Sequence, residues 1–359
     1  MKNGILLLYS LLIALFGAEI YLRISPPEWL YMELRNVVQQ THSEPANQGR
    51  GYIPRANLSQ IFTNREFKTM VQINSKNLRD QEYSTEKLTS KKRILAFGDS
   101  FVFGWGVENN ETTTEILEQK YLNGVEVLNF GVSGYCAGQQ LARLKAEGLS
   151  YQPDIVLFFM YSLPSECSDK YTFYQGRMYW ENPQDYSPWE WWQYRILRKS
   201  YFATFLSGSY YDLRSKFQIY RENLSSKPNL HPAGIINQPD DMELENSKKI
   251  LDELLHLSKQ NSFKLILIYI PDKYHFRNHN DTYEIVGTRF LETYAVNEGI
   301  GFIDLGIHPH DLWEKTGNYP YFKHDDHWNI YGHQYAAKTI LDFLKDNHFL
   351  EDLNFKIHD

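Results

Sequence analysis

Apolar residues gather in five short unbroken runs, RILAF (93–97), VEVLNF (125–130), DIVLFFM (154–160), KLILIYI (264–270) and GFIDL (301–305). Between them the apolar positions recur at helical spacing, over about 112–122, 138–149, 243–260 and 283–298, with a last stretch from about 331 to 346. Unbroken rather than alternating runs mark strands covered on both faces, and amphipathic helices between them mark crossover connections. The pattern predicts a three-layer α/β fold around a parallel sheet. Residues 168–240 interrupt the rhythm with an aromatic-rich insertion of helical character, and residues 25–90, mixed and polar after Pro26 and Pro27, predict an irregular or short-stranded lead-in to a domain spanning 91–350. No internal repeat or low-complexity tract is evident.

The N-terminus carries a different pattern. From Gly4 to Ala18 the run GILLLYSLLIALFGA holds no charge, Lys2 precedes it, and Glu19 and Arg23 close it. A membrane span needs about 20 apolar residues and a signal-peptide core about 7 to 15. Continuing through Ile20, Tyr21 and Leu22 gives a single anchor within residues 1–24. Leu15 and Phe16 stand where a cleavage site needs small residues, so an anchor is preferred to a removed signal. Either reading puts the remaining chain on the extracytoplasmic side, periplasmic or extracellular. Lys2 is countered by Arg23 and Arg35, so charge bias does not fix the orientation.

Composition narrows the function classes. The chain has 359 residues, 42% of them hydrophobic, enough for one large domain with an insertion or two ordinary ones. A formal net charge of -7 without a basic block excludes a nucleic-acid partner. Two cysteines, Cys136 and Cys167, exclude a disulfide framework and a thiolate zinc cluster.

Candidate chemistry begins at ILAFGDSFVFGWG, residues 94–106. Ligands of such sheets sit beyond the carboxyl ends of the strands. Ser100 lies there, after a glycine that permits a sharp exit, at the start of a segment whose unpaired N–H groups favour developing negative charge. No Gly-Lys-Ser/Thr follows, which rules out a phosphate loop. From this segment alone, helix capping by Asp99 and Ser100 and nucleophilic catalysis by Ser100 are equally compatible. A second stretch, YFKHDDHWNIYGH (321–333), sets His327 among carboxylates just before a helix. A serine nucleophile needs a general base, and the base needs an acid to fix its tautomer. In extended backbone, residues two apart share a side, so Asp325 is expected to orient His327, with Asp326 in reserve. The competing readings are a metal site built on His324, Asp325, Asp326 and His327, with His308 and His310 upstream, and a plain solvated loop. Adjacent residues rarely converge on one ion, so no metal and no cofactor is expected.

GDSF with Ser100, NFGVSGY at 129–135 and DDHWNIYGH together resemble the motif blocks of the SGNH/GDSL hydrolase superfamily, over roughly residues 70–345. The lead-in NSKNLRD is similar to the segment that precedes the first block in membrane-anchored bacterial members. The resemblance implies a flavodoxin-like α/β/α sandwich of five parallel strands. It also implies a Ser100, His327 and Asp325 triad, with the N–H groups of Ser100 and Gly134 in the oxyanion hole.

One block departs. The family carries an asparagine donor after the third strand, whereas here Pro164 and Ser165 stand in its place. Losing one oxyanion donor typically costs about 10²- to 10³-fold in rate, which leaves Ser162 and Ser165 as candidate replacements. Cys136 and Cys167 follow the second and third blocks. The first strand is expected between their strands, with neighbours about 4.8 Å apart, so two separate thiols are expected rather than a bridge. In the insertion, Trp189, Trp191, Trp192 and Tyr194 offer flat faces for a sugar, an acyl chain or a membrane, or simply pack it. Arg195, Arg198 and Lys199 face anionic groups or solvent.

The reading these features converge on is a membrane-anchored, exported ester hydrolase or O-acyltransferase acting on O-acyl groups of a cell-surface saccharide. A lipid or lysophospholipid esterase, and a non-catalytic saccharide-binding or assembly scaffold, are the alternatives.

Overall fold

The computed structural model describes residues 2–25, 43–63, 66–89, 91–122, 124–166, 172–174, 177–179, 200–203, 205–206, 209–210, 213, 239–273, 282–306, 317–323 and 325–349. Its contacts divide the chain into two compact units, one of Met1–Thr41, Thr63–Phe67 and Tyr171–Ile235, the other of His42–Phe62, Lys68–Lys170 and Ile236–Asp359.

The first unit contains α1 (Lys2–Ile24), whose 19 residues Leu6–Ile24 have a mean hydropathy of 1.7, long and apolar enough to cross a membrane. The predicted aromatic cluster Trp189, Trp191, Trp192 and Tyr194, and the basic Arg195, Arg198 and Lys199, lie outside the described residues.

The second unit begins with two antiparallel pairs, β1 (Ser43–Ala46) with β2 (Gly51–Pro54), and β3 (Ser59–Thr63) with β4 (Lys68–Gln72). The sheet opens with β5 (Lys92–Phe97), followed by α2 (Ser100–Phe103) and α3 (Thr113–Ile116). Next come β6 (Val125–Asn129), α4 (Ala137–Ala146) and β7 (Ile155–Met160). A hairpin in the first unit, β8 (Thr172–Tyr174) and β9 (Arg177–Tyr179), intervenes. Then α5 (Asp241–Asn261), β10 (Lys264–Tyr269), α6 (Thr282–Glu298), β11 (Gly301–Asp304) and α7 (Ile330–Asp346) complete the unit. The expected helix over 112–122 is α3 running into a π-helical turn, Leu117–Tyr121.

All five sheet strands are parallel, in the order β11-β10-β7-β5-β6. This is the flavodoxin-like winding, which reverses between β5 and β7 and leaves a crevice at their carboxyl ends. Side chains alternate across the strands, so each face acquires its own core. Ile94, Ala96, Val127, Leu157 and Ile268 pack against Ala336, Ile340 and Leu344 of α7. Leu95, Phe97, Val156, Phe158 and Leu267 pack against Leu141 of α4, Leu251 and Leu254 of α5 and Leu291 of α6. The three-layer α/β/α sandwich follows directly from unbroken apolar strands that need cover on both sides.

The expectation of separate thiols is corrected: Cys136 is disulfide-bonded. The chain has one other cysteine, Cys167, outside the described residues. β5 does separate β6 from β7, yet the loop after β7 crosses that strand's end. The Gly138 N–H donates to the Ser165 carbonyl at 3.1 Å, and Glu166 Cα lies 3.3 Å from where a Cβ on Gly138 would stand. The two loops lean together at the N-terminus of α4.

Candidate active site

Ser100 stands in the first turn of α2, at the carboxyl end of β5 beside the reversal of the winding. Asp99 caps this turn, its carboxylate accepting the Phe101 N–H at 2.9 Å, while Ser100 leaves its hydroxyl for other work. The cap thus falls to Asp99 alone, and the Ser100 side chain is directed elsewhere. Burial pushes the Asp99 carboxyl above its ordinary range, against the pull of that N–H and of His327. The turn is tight because two glycines let it be. A Cβ on Gly98 would lie 2.2 Å from Val102 Cγ2, and one on Gly131, from the loop after β6, 2.2 Å from the Phe103 nitrogen.

His327 comes from a closed loop. Tyr321 and Trp328 form an antiparallel bridge, the Phe322 N–H donates to the His327 carbonyl at 3.0 Å, and the Asn329 N–H donates to the Pro320 carbonyl at 2.9 Å. Asn329 also caps α7, accepting from Tyr331 N–H at 2.9 Å, and its amide donates back to the carbonyls of Tyr319 and Tyr321. Asp325 reaches His327 by a different route from extended pairing. Its Oδ1 accepts the backbone N–H of His327 at 2.9 Å, an Asx-turn, and the same oxygen meets His327 Nδ1 at 2.5 Å. On the other side of the ring, Nε2 lies 2.6 Å from Ser100 Oγ. Asp326 turns away, its side chain 63% exposed.

These bonds fix a direction for protons. With Nδ1–H donated to Asp325, Nε2 is left to accept from the Ser100 hydroxyl. Burial pushes the Asp325 carboxyl up. The His327 ring hydrogen bond and charge, the His327 N–H and the Trp105 indole together outweigh burial and hold it below the ordinary carboxylate range. The ring is walled by Phe101, with centroids 5.2 Å apart, and by Trp105 at 6.1 Å.

Other predicted residues stand apart from this set. Gly134 has φ 83° in a turn that the Tyr135 N–H closes onto the Val132 carbonyl at 3.1 Å. The exposed Ser162 hydroxyl donates to the Leu163 carbonyl at 3.4 Å, and Ser165, also exposed, uses its carbonyl for Gly138. Neither serine enters the hydrogen-bond set of Ser100, His327 and Asp325 among the described residues. His308, His310 and His324 lie outside the described residues, and no group of three metal-ligating side chains occurs among those described.

The sequence reading missed the bracing. Arg79 is buried, and its guanidinium donates to the carbonyls of Phe103, Gly104 and Val107 and to Asn109 Oδ1 at 2.9 Å. Burial pulls its pKa down to about 9, opposed by Glu108 and Glu111. Asp80 accepts the Asn129 N–H at 2.8 Å, and the Asn129 amide in turn donates to the Val102 carbonyl at 2.8 Å. Lys273, buried in the loop after β10, donates to the carbonyls of Lys323 and Asp325 at 3.0 and 3.1 Å and so holds the histidine loop. Arg79 and Asp80 fall within the NLRD of the lead-in. The resemblance of that lead-in to the segment preceding the first block was the signal available for them.

No protein-family model and no curated protein matches the chain. Solved structures do, among them lipolytic enzymes and esterases. The chain is similar to a lipase/acylhydrolase from Enterococcus faecalis, with 16% identity over 75% of this chain and 99% of that one, at a TM-score of 0.41. It is similar to a member of the lipolytic protein G-D-S-L family from Veillonella parvula DSM 2008, at 13% over 70% and 97% with a TM-score of 0.40. The psychrotrophic esterase EstA from Pseudoalteromonas sp. gives 14% over 71% and 97%, also at 0.40. The fold rests on the sheet order and registers described above, and the chemistry on the geometry of the site.

Proposed function

We propose that the chain is an SGNH-type serine esterase or O-acyltransferase, tethered to a membrane by α1, that acts on O-acyl groups of a saccharide on the extracytoplasmic side. The observation that supports it is the unbroken relay from Ser100 Oγ to His327 Nε2 at 2.6 Å and from Nδ1 to Asp325 at 2.5 Å. In this reading His327 takes the Ser100 proton as Oγ attacks the ester carbonyl, and Asp325 stabilises the imidazolium that forms. Collapse of the tetrahedral adduct expels the alcohol, which receives that proton, and leaves an acyl-Ser100. Water or a second hydroxyl, deprotonated by His327, then releases the acyl group. The N–H groups of Ser100 and Gly134 are the proposed oxyanion donors.

The saccharide reading draws on one further feature. Tyr161, 39% exposed at the end of β7, stacks on Phe101 with centroids 5.3 Å apart and planes at 23°, presenting a flat aromatic surface next to the nucleophile.

The test is a fluorophosphonate probe on the full chain in detergent, with the label located by peptide mass spectrometry. Labelling at Ser100 that is lost in Ser100→Ala and His327→Ala supports an activated serine. A folded, unlabelled protein moves the reading to a non-catalytic saccharide-binding scaffold. For substrate class, Tyr161→Ala is expected to raise KM for acetylated oligosaccharides while leaving turnover of p-nitrophenyl acetate unchanged. Equal effects on both substrates overturn the stacking role.

A further inference from the structure

We infer that the helical residues following Ser200 form a membrane-docking face that lies along the lipid surface beside α1, an inference that rests on reading α1 as a membrane anchor. It begins with Glu19, an acid inside an otherwise apolar helix. Its carboxylate accepts from Ser200 Oγ at 2.7 Å, from Tyr201 N–H at 3.2 Å and from Phe202 N–H at 2.9 Å. Ser200 in turn caps the segment, its hydroxyl accepting the Ala203 N–H at 3.1 Å. Arg23, one turn along α1, donates to Glu19 at 2.7 Å and sets its guanidinium over the Tyr201 ring at 5.2 Å. An anchor helix and the first turn of a distant segment are therefore joined by a charge cluster that leaves the Glu19 carboxylate fully engaged.

Position along α1 gives the depth. Glu19 precedes the helix end at Ile24 by five residues (24 − 19), about 7.5 Å at 1.5 Å per residue. An interfacial helix buries its apolar face about 5–10 Å into the boundary between headgroups and acyl chains. The segment tied to Glu19 thus starts at the level where a surface-lying helix belongs.

Its exposed face completes the case. Leu206, Tyr210 and Leu213 are 51%, 60% and 69% exposed. Their spacing of four and three residues is the spacing of one helical face. Aromatic and aliphatic residues on one face at this depth fit the headgroup boundary. The occupant is lipid, because the same end of α1 exposes Ile20, Tyr21 and Ile24, so the apolar surface continues from the anchor. The sequence then turns basic at Arg214 and Lys216, a composition suited to anionic headgroups.

The experiment places a thiol-reactive NBD fluorophore, without reductant so that the bond at Cys136 stays closed, on full-chain variants carrying one added cysteine in phosphatidylcholine/phosphatidylglycerol nanodiscs containing doxyl-labelled lipid. Phe16→Cys reports the anchor, Leu206→Cys and Leu213→Cys report the proposed face, and Lys248→Cys on α5 reports solvent. Quenching at 206 and 213 comparable to that at 16, and absent at 248, is the expected result. Quenching at 16 but not at 206 or 213 overturns the docking face and assigns the stripe to water or to a protein partner. No quenching at 16 overturns the anchor reading, and the docking face falls with it. Adding Glu19→Ala is expected to abolish quenching at 206 and 213 while leaving it at 16. Unchanged quenching overturns the role of Glu19 in setting the segment's place.

Discussion

Trp105 and Asp325 meet across 220 residues of chain: the indole N–H, carried five residues after Ser100, is directed at Asp325 Oδ2 at 3.4 Å, the oxygen that His327 does not use. The loop that presents Ser100 thereby also steadies the acid of the histidine loop. Phe62 packs on the indole with centroids 5.5 Å apart, so the ring is held from behind.

Trp105→Phe keeps the ring stack and removes the N–H. A hydrogen bond to a charged group contributes roughly 1.5–3 kcal/mol, and 3.4 Å places this one at the low end, so kcat is expected to fall by about tenfold. KM and the melting temperature should stay near their original values. A large Tm drop with unchanged kcat in the residual folded protein would assign Trp105 a purely structural part.

Asp325→Asn removes the negative charge and turns one acceptor oxygen into an N–H donor, so the histidine tautomer is no longer fixed, and losses of about 10⁴-fold in kcat accompany such changes in triads. Asp326→Asn, one position on and exposed, is expected to remain within a few-fold of the parent enzyme. Steady-state kinetics on one ester substrate separate the two. Equal losses would mean that the loop rearranges and that the Asx-turn does not persist.

His333 sets an acid limit on stability. It is buried on α7, and its Nδ1 accepts from Thr113 N–H at 3.2 Å and lies 2.9 Å from Thr113 Oγ1. Burial, then the charges of Arg79 and His327, drive its pKa down to about 3. The unfolded chain, with histidine near about 6.5, binds a proton that the native state refuses between those values. Stability from this group is therefore complete above the unfolded pKa and falls as pH drops toward the folded one, by about 1.4 kcal/mol per pH unit at most. Urea unfolding at pH 7, 6 and 5 should show this slope, and His333→Gln should flatten it. An unchanged slope would put the acid sensitivity elsewhere.

Arg79→Lys keeps the charge and loses the fork that serves three carbonyls. Each buried acceptor left without a donor costs about 1–3 kcal/mol, so destabilisation of about 3 kcal/mol is expected, read as a lower midpoint in urea. Gly131→Ala pushes on the Phe103 nitrogen instead, and activity should fall further than stability. The reverse ranking would show that the loop after β6 yields more readily than α2.

The five strands and the helices between them were legible because burial on both faces writes itself as unbroken apolar runs. RILAF and KLILIYI have no other comfortable place in water. Ser100 and His327 were legible because the chemistry needs rare residue types at the ends of such elements. Asp325 was reached by an argument from extended backbone, although the loop is bent there. What could not be read was carried by contacts with no local pattern. Arg79 looks like any charged residue of a polar lead-in, and only the three-dimensional placement of Phe103, Gly104 and Val107 makes it a plug. The bond at Cys136 depended on how far one loop leans across a strand's end, which strand spacing alone does not state.

The lead-in also changes where a minimal fragment begins. A polypeptide starting at Lys91 holds all five sheet strands together with Ser100, Asp325 and His327. It lacks Arg79, which holds the carbonyls after the Ser100 turn, and Asp80, which holds the Asn129 N–H. It lacks Tyr52 as well, whose hydroxyl donates to the Ser133 carbonyl at 2.8 Å and supports the turn bearing Gly134. Such a fragment keeps every reacting group and loses what holds them in register, so its first residue belongs no later than Ser43. For truncation and fusion work, the boundary of this sheet-bearing unit is set by two short hairpins of unremarkable sequence, about fifty residues ahead of the first strand of the sheet.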